Sequence, residues 1–266
     1  MINVRFYGDK PYKAAVVHGG PGALGSVAAI ARVLSKGMGV IEPLQTRTTI
    51  EDLLEELGEV IRANCKVPIT FIGHSWGAWL VILYAAKYPE LVKKIIFVGS
   101  GPFEIKYVDR INKARRMRLT GTEGKEYDCL FKKLGAGNAT AKDGLLKKLG
   151  DLVAKTDNYC TFNVPTDDSD IIQADVELYK SIWNEAAAMR KSGELLEQAS
   201  RVTCPVVAIH GVYDPHPADG VKLPLEDRLS GFTFYLLEKC GHSPWRERYA
   251  AERFYEILKE EITDAN

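Results

Sequence analysis

The sequence predicts an α/β protein, with a mostly parallel sheet flanked by helices and a helical cap inserted after the fourth recognised strand. Two observations support this fold class. Short aliphatic and β-branched runs alternate with helical stretches over the first hundred residues, which is typical of βαβ units. The alternation stops near 102 and resumes near 204, and the residues between show no convincing strand pattern.

The residue types predict the strands and helices in the two flanks, the parts of the chain before about 102 and after about 200. Apolar runs predict buried parallel strands at 14–17, 38–42, 68–73, 93–99, 204–211 and 233–238. Apolar residues with helical spacing extend from Leu53 to Ile61 and again over 78–88, where Pro89 ends the pattern. A last helix is predicted from about 244 to 260.

The middle of the chain is rich in Lys, Glu, Asp and Gly, and its spacing indicates helices near 107–119, 123–134, 141–154 and 175–198. Because the first flank carries only about four strands, the two flanks are expected to form one sheet rather than two domains. We therefore predict a core domain formed by 1–101 and 201–266, with a helical cap insertion at 102–200. The basic run from Arg110 to Arg118, which includes Arg115, is expected to be a solvated helix face.

Composition excludes several classes of protein. The chain is 46% hydrophobic, which fits one large core. Its 35 Lys+Arg are balanced by 35 Asp+Glu, which argues against nucleic acid or an anionic membrane as partner. The longest apolar stretch, 78–86, is far shorter than a membrane span, and the first residues lack the apolar region of a signal peptide. Five scattered cysteines show no disulfide or metal spacing. These features predict a cytoplasmic protein without a metal site.

The segment Gly73-His74-Ser75-Trp76-Gly77 lies between an apolar strand and an apolar helix. A serine at such a sharp strand-to-helix turn has a strained backbone, and glycines on both sides avoid Cβ clashes where strand and helix approach. The start of the following helix also directs free N–H groups at developing negative charge. Ser75 is therefore the predicted nucleophile.

Upstream, a predicted strand ends in His18-Gly19-Gly20-Pro21-Gly22. In acyl transfer, a backbone N–H from such a loop and the N–H of the residue after the nucleophile together hold the oxyanion. We assign this role to Gly19 or Gly20 with Trp76. A phosphate-binding loop is the alternative, but no Lys-Ser/Thr pair follows the glycines.

Asp214 and His242 each follow a predicted strand in the second flank. The chain order Ser75, Asp214, His242 is the order required by one arrangement of the serine triad, and it differs from the chymotrypsin and subtilisin orders. His216 is only two residues from Asp214, too close to bridge easily to a distant serine. Glu104, after the fourth strand, is a rival for the acid.

These motifs resemble the α/β-hydrolase superfamily from the first strand to the last helix. His18-Gly22 and an elbow with Trp after the serine are most similar to the proline iminopeptidase branch and its capped esterase relatives. The resemblance implies an α/β-hydrolase fold, a Ser75-His242-Asp214 triad, oxyanion donors at Gly20 and Trp76, and no metal or organic cofactor. The chain departs from the family at 42–47, which is short and lacks the family's glycine-containing loop.

The predicted reaction is two-step acyl transfer on a small ester or amide, with a small molecule or short peptide as substrate. Aminopeptidase action on an N-terminal proline is the alternative, since Glu185 beside Trp183 loosely resembles the Trp-Glu feature of the iminopeptidases, offset by one residue. Trp183 and Glu185 are accordingly candidates for the substrate pocket, and Trp245 is a third because it adjoins the His242 motif. A ligand-binding receptor or scaffold on the same fold is the non-enzymatic alternative.

Overall fold

A computed structural model describes residues 3–135, 142–162, 170–172 and 176–263. Within these residues, seven strands form one sheet: β1 (Val4–Tyr7), β2 (Tyr12–Val17), β3 (Gly39–Pro43), β4 (Cys65–His74), β5 (Val92–Val98), β6 (Val206–Gly211) and β7 (Phe232–Leu237). Their order across the sheet is β1-β3-β2-β4-β5-β6-β7. All neighbouring pairs are parallel except β1 and β3, which are antiparallel.

Helices connect these strands and cover the sheet. Their bounds are α1 (Ala28–Leu34), α2 (Ile50–Asn64), α3 (Trp76–Lys87), α4 (Val108–Arg118), α5 (Gly121–Gly135), α6 (Lys142–Asp157), α7 (Val176–Ser192), α8 (Glu194–Ala199), α9 (Asp219–Glu226) and α10 (Ala251–Thr263). None of the helices in the described ranges has the length and apolar character needed to cross a membrane.

The six strands predicted from the sequence correspond to β2 through β7, and the α/β prediction is confirmed. Strand β1 was not predicted. It is a four-residue edge strand with a partly exposed pattern, and it pairs only with β3, from Val4 opposite Pro43 to Tyr7 opposite Val40. An edge strand buries little apolar surface, so it carries little of the periodicity on which strand prediction depends.

The residues between β5 and β6 that have a defined element are helical, from α4 to α8. We refer to 102–200 as the inserted segment. The single helix predicted at 175–198 is two helices, because Gly193 adopts a left-handed backbone with φ of 89° between α7 and α8. Since β5 and β6 are parallel neighbours, with Ile95 opposite Val206, the chain leaves the sheet and returns to it at the adjacent position.

Alternating side chains of the sheet support two apolar layers. In β5, Ile95 and Phe97 belong to the layer that contains residues of α2, α3 and α8, whereas Ile96 and Val98 belong to the layer that contains residues of α1 and α10. Helix α3 packs on one face of the sheet, against β4, β5 and β2, and is buried from Trp76 to Ala85. This burial fixes the position of the α3 N-terminus, at which the candidate site is formed.

Candidate active site

Ser75 occupies the junction of β4 and α3 with a left-handed backbone, φ of 54°. The packing around this turn requires glycine on both sides. A Cβ at Gly73 would lie 2.5 Å from the Gly77 carbonyl oxygen, and a Cβ at Gly77 would lie 2.4 Å from the Val17 carbonyl oxygen. The close approach of β2, β4 and α3 therefore explains the Gly-x-Ser-x-Gly spacing.

Backbone hydrogen bonds hold the strained turn. The Ser75 N–H donates to the Val98 carbonyl at 3.0 Å, and the Ser75 carbonyl accepts from Ala78 N–H at 3.1 Å. Trp76 is the first residue of α3, so its N–H has no acceptor one turn earlier within the helix. The arrangement presents the Ser75 side chain next to a helix N-terminus, which favours negative charge.

The glycine loop after β2 lies against this turn. A Cβ at Gly19 would be 3.1 Å from the Ser75 Cβ and 3.0 Å from His74 Nδ1, so only glycine leaves room for close approach. Gly20 has φ of 111°, and a Cβ there would lie 2.6 Å from the Gly22 N. The structure thus brings Gly19, Ser75 and the start of α3 together.

Gln45 connects the glycine loop to the Ser75 turn, a role that the sequence did not reveal. Its Oε1 accepts from Trp76 Nε1 at 2.8 Å, and its backbone N–H donates to His18 Nε2 at 3.4 Å. Burial lowers the pKa of His18 to about 4, so the ring is neutral and can accept that hydrogen bond. Gln45 lies in the segment 42–47, which departs from the family pattern. That departure was the feature of the sequence that could have pointed to its role.

Asp214 and His242 follow β6 and β7 and meet above the sheet edge. His242 Nδ1 lies 2.8 Å from Asp214 Oδ2, and the Asp214 side chain is fully buried. A second constraint fixes the histidine, since its backbone N–H donates to the Asp157 carbonyl at 2.7 Å. Gly99, with φ of 55°, passes so close that a Cβ would lie 2.5 Å from the His242 carbonyl oxygen.

The charges of this pair shift both pKa values. Burial acts to lower the pKa of His242, but the negative charge and hydrogen bond of Asp214 outweigh it and raise the pKa. Burial acts to raise the pKa of Asp214, but the neighbouring His242, His216 and His210 hold it well below its usual range. Asp214 is therefore ionised, and it orients His242 with Nδ1–H toward the carboxylate.

A second histidine shares the same carboxylate. Asp214 Oδ1 accepts from the His216 backbone N–H at 2.9 Å and lies 2.8 Å from His216 Nδ1. The rings of His216 and His242 are 4.5 Å apart. One ligand atom each from Asp214, His216 and His242 lie within 4.8 Å of one another, the geometry of a possible metal-binding group. The sequence analysis treated His216 only as an unsuitable base and missed this pairing.

Glu104, the rival acid, does not reach this group. Its carboxylate pairs with Lys106 Nζ at 2.8 Å, and its side chain is one-third exposed. The structure brings Asp214, and not Glu104, to His242.

A cavity of about 580 Å³ contains Ser75 and His242 in its wall and extends to the helices of the inserted segment. Trp183 of α7 lines it, as the sequence analysis expected, and stacks on Trp79 with ring centres 6.1 Å apart. Arg115 also lines it, so the solvated-face interpretation of that residue is wrong. Its side chain is 13% exposed and forms two hydrogen bonds with the buried Asp157, at 2.9 and 2.5 Å.

Two of the three predicted pocket residues lie elsewhere. Glu185 Oε2 accepts from the Ile50 N–H at 2.8 Å and so binds the N-terminus of α2, in a separate surface groove. Trp245 packs edge-on against His74 with ring centres 4.7 Å apart and is not part of the cavity wall. For Glu185, the physical reason is that residues two apart on a helix, such as Trp183 and Glu185, point about 160° apart once α7 is formed.

Comparisons with known proteins agree with the fold. A family described as having the alpha/beta hydrolase fold matches residues 16–124. A solved esterase from Exiguobacterium antarcticum is 17% identical, with a TM-score of 0.69, and the match covers 98% of this chain and 94% of that one. The chain therefore has the α/β-hydrolase fold.

Two curated relatives match in part. The chain is 26% identical to a proline iminopeptidase from Saccharolobus solfataricus in an alignment of 228 positions that covers 79% of this chain and 66% of the relative. A 58-residue segment is 31% identical to the cis-3-alkyl-4-alkyloxetan-2-one decarboxylase of Shewanella oneidensis and covers 21% of this chain and 18% of that one. The chain thus spans less than two thirds of the length of either relative.

Proposed function

We propose that this α/β-hydrolase-fold protein is a serine hydrolase that cleaves a small ester or amide through an acyl-enzyme, with Ser75 as nucleophile. One observation carries the proposal: the Asp214-oriented His242 and the strained Ser75 turn form the wall of one cavity. That combination supplies a nucleophile, a base and space for a substrate. The similarity in fold to a solved esterase and in sequence to a proline iminopeptidase supports the same class of reaction.

In the proposed mechanism, His242 Nε2 takes the Ser75 Oγ proton as the oxygen attacks the substrate carbonyl. Asp214 accepts a hydrogen bond from Nδ1, fixes the tautomer and stabilises the imidazolium that forms. His242 then gives the proton to the leaving group, and an acyl-Ser75 ester remains. Water attacks this ester with His242 again as base, which releases the acid and regenerates Ser75.

Backbone N–H groups of Trp76 and of Gly19 or Gly20 stabilise the oxyanion in this proposal. The close approach of Gly19 to Ser75 and the position of Trp76 at the first residue of α3 support it. Gln45 holds both segments through Trp76 and His18. The inserted segment acts as a cap, because α4, α6 and α7 supply much of the cavity wall opposite Ser75.

Ester cleavage is preferred over aminopeptidase action because of Glu185. An exopeptidase must pair the substrate's free ammonium with a carboxylate, since a buried, unpaired ammonium is costly. Glu185 is used at the α2 N-terminus, and the one acidic side chain among the described cavity-lining residues, Asp157, is paired with Arg115. The proline iminopeptidase relative keeps the aminopeptidase as the second candidate.

Fluorophosphonate labelling tests the nucleophile and separates an enzyme from a receptor or scaffold. We expect the probe to modify Ser75 covalently, as found by peptide mass spectrometry. Ser243 also lines the cavity and provides the matched control, since Ser243→Ala should still be labelled and Ser75→Ala should not. Absence of labelling in the folded wild-type protein would favour the non-enzymatic alternative.

A substrate comparison tests the reaction type. Under identical conditions we expect p-nitrophenyl butyrate to be turned over with a higher kcat/KM than prolyl-β-naphthylamide. The reverse preference, removed by Glu185→Gln, would establish the aminopeptidase instead.

A further inference from the structure

Arg190 on α7 is a buried cation in the cavity wall. Its side chain is 6% exposed, and within the described part of the chain no carboxylate pairs with its guanidinium. Its Nε is fully buried and has no hydrogen-bond acceptor among those residues. Buried arginines are normally paired, because a buried charge without a partner is energetically costly. The described residues do not supply that partner for Arg190.

The other contacts of Arg190 are aromatic faces. The guanidinium carbon lies 5.1 Å from the centre of the Trp79 ring and 5.8 Å from that of Trp183. These rings are parallel to within 4°, and Tyr179 stacks on Trp183 at 6.4 Å. Cation–π contacts hold the guanidinium in place but accept none of its N–H hydrogen bonds, which stay available to an anion.

The placement of Arg190 links it to the proposed nucleophile. Trp79 lies one helical turn after Ser75 on α3, and Arg190 lies two turns after Trp183 on α7, on the same face of that helix. Ser75, Trp79, Trp183 and Arg190 all form the wall of the same cavity. An aromatic surface thus extends from the nucleophile to an unpaired cation.

The neighbouring charges do not neutralise Arg190. Asp157, the acidic residue among the described residues of the wall, has both carboxylate oxygens engaged by Arg115. Asp214 faces His242 and His216. In the described wall, the charges that lack a counter-ion, those of Arg190 and Arg246, are therefore positive.

We propose that Arg190 forms an anion subsite and that the substrate is an ester with a carboxylate at the far end of its acyl chain. The guanidinium fork matches a carboxylate with two parallel hydrogen bonds, and the tryptophan surface accommodates the methylene chain between carboxylate and scissile carbonyl. This proposal rests on the proposed hydrolase function and specifies its substrate class. It also agrees with the absence of a free carboxylate for an ammonium group in the described wall.

The test compares two esters of equal chain length, mono-p-nitrophenyl adipate, with a terminal carboxylate, and p-nitrophenyl hexanoate, with a terminal methyl group. We expect the wild-type kcat/KM to be at least about tenfold higher for the adipate ester, and Arg190→Gln to lower that value about 100-fold while changing the hexanoate value less than about threefold. Arg190→Lys should retain part of the preference, because it keeps the charge and loses the fork. Arg253→Gln, an exposed arginine of α10, is the control and should behave as wild type.

A binding measurement tests the anion subsite independently of the proposed hydrolysis. Adipate should raise the melting temperature of Ser75→Ala protein but not that of the Ser75→Ala, Arg190→Gln double variant. If neither ester is cleaved yet adipate stabilises only the protein with Arg190, the hydrolase proposal fails and the subsite stands. Turnover of hexanoate with no adipate preference, or an equal loss on both esters in Arg190→Gln, would overturn the subsite and leave the hydrolase intact.

Discussion

The two sides of the cavity are constructed differently. On the sheet side, Ser75, Asp214 and His242 each follow a strand, and backbone hydrogen bonds and glycine contacts fix their positions. On the side of the inserted segment, Arg115 and Arg190 project from helices, and their positions depend on how those helices pack. The sheet thus positions the proposed reacting groups, whereas the packing of the helices determines which charged side chains line the rest of the cavity.

The largest effect is expected from Ser75→Ala on the sheet side. Loss of the nucleophile should lower kcat about 10⁴- to 10⁶-fold, which corresponds to about 5 to 8 kcal/mol. The fold should be unchanged, since the variant removes one hydroxyl, and circular dichroism checks this. Residual turnover above a few per cent by a folded variant would show that the reacting group lies elsewhere.

Asp214→Asn should have the next largest effect, because an amide at this position favours the wrong tautomer of His242. We expect kcat to fall about 10⁴-fold, against less than about threefold for Glu104→Gln, whose side chain pairs with Lys106 at the surface. Steady-state kinetics of both variants on one ester provide the measurement. A larger loss in the Glu104 variant would transfer the role of the acid to that residue.

Arg115→Met tests the side of the inserted segment. Removing one partner of a buried pair leaves the Asp157 charge uncompensated, so the free energy of unfolding should fall by about 3 to 5 kcal/mol. The matched control is Arg116→Met on the same helix. Arg116 forms an exposed pair with Asp128, and its loss should cost less than about 1 kcal/mol. Equal losses in urea titrations of the two variants would contradict the buried role of Arg115.

The pH profile tests the charge balance at His242. Because Asp214 raises the pKa of His242 above its ordinary value of 6.5, the base is protonated at low pH and becomes neutral as the pH rises through that raised pKa. We expect kcat/KM to fall about tenfold per pH unit on the acid side of a midpoint above 6.5. His216, whose pKa burial lowers, should already be neutral there. A profile flat from about pH 5 to 9 would exclude a histidine base.

Glu185→Gln should have the smallest effect. It tests the difference between Glu185, which binds α2, and Arg190, which lines the cavity from the same helix. Its carboxylate binds the N-terminus of α2, so its loss should lower the free energy of unfolding by about 1 kcal/mol with no change in ester kinetics. Glu194→Gln, at the start of α8, is the control for removing an acidic side chain nearby. A selective loss of ester turnover in the Glu185 variant would return this residue to the substrate pocket.

The sequence by itself determined the parallel sheet and the order of its six longer strands along the chain. It also predicted the strand-to-helix turn at Ser75 and the chain order of Ser75, Asp214 and His242, and the structure places Asp214 against His242. Most of these features are local: a Cβ at Gly73 would clash with Gly77 only four residues further on, and each strand has its own apolar run. Gly77 makes room for the more distant Val17, but its place in the Gly-x-Ser-x-Gly spacing is still visible in the sequence. The short strand β1 escaped prediction because an edge strand needs little apolar surface.

Only the tertiary structure decided the partners of the polar side chains. The sequence analysis predicted that Arg115 is solvated and that Glu185 and Trp245 line the pocket. It identified no role for Gln45, His216 or Arg190. On α7, Glu185 and Arg190 lie about 140° apart, so packing against α2 turns one toward that helix and the other into the cavity. Whether a charge is buried, and whether a carboxylate meets it, depends on segments far apart in the chain, and no local periodicity records such contacts.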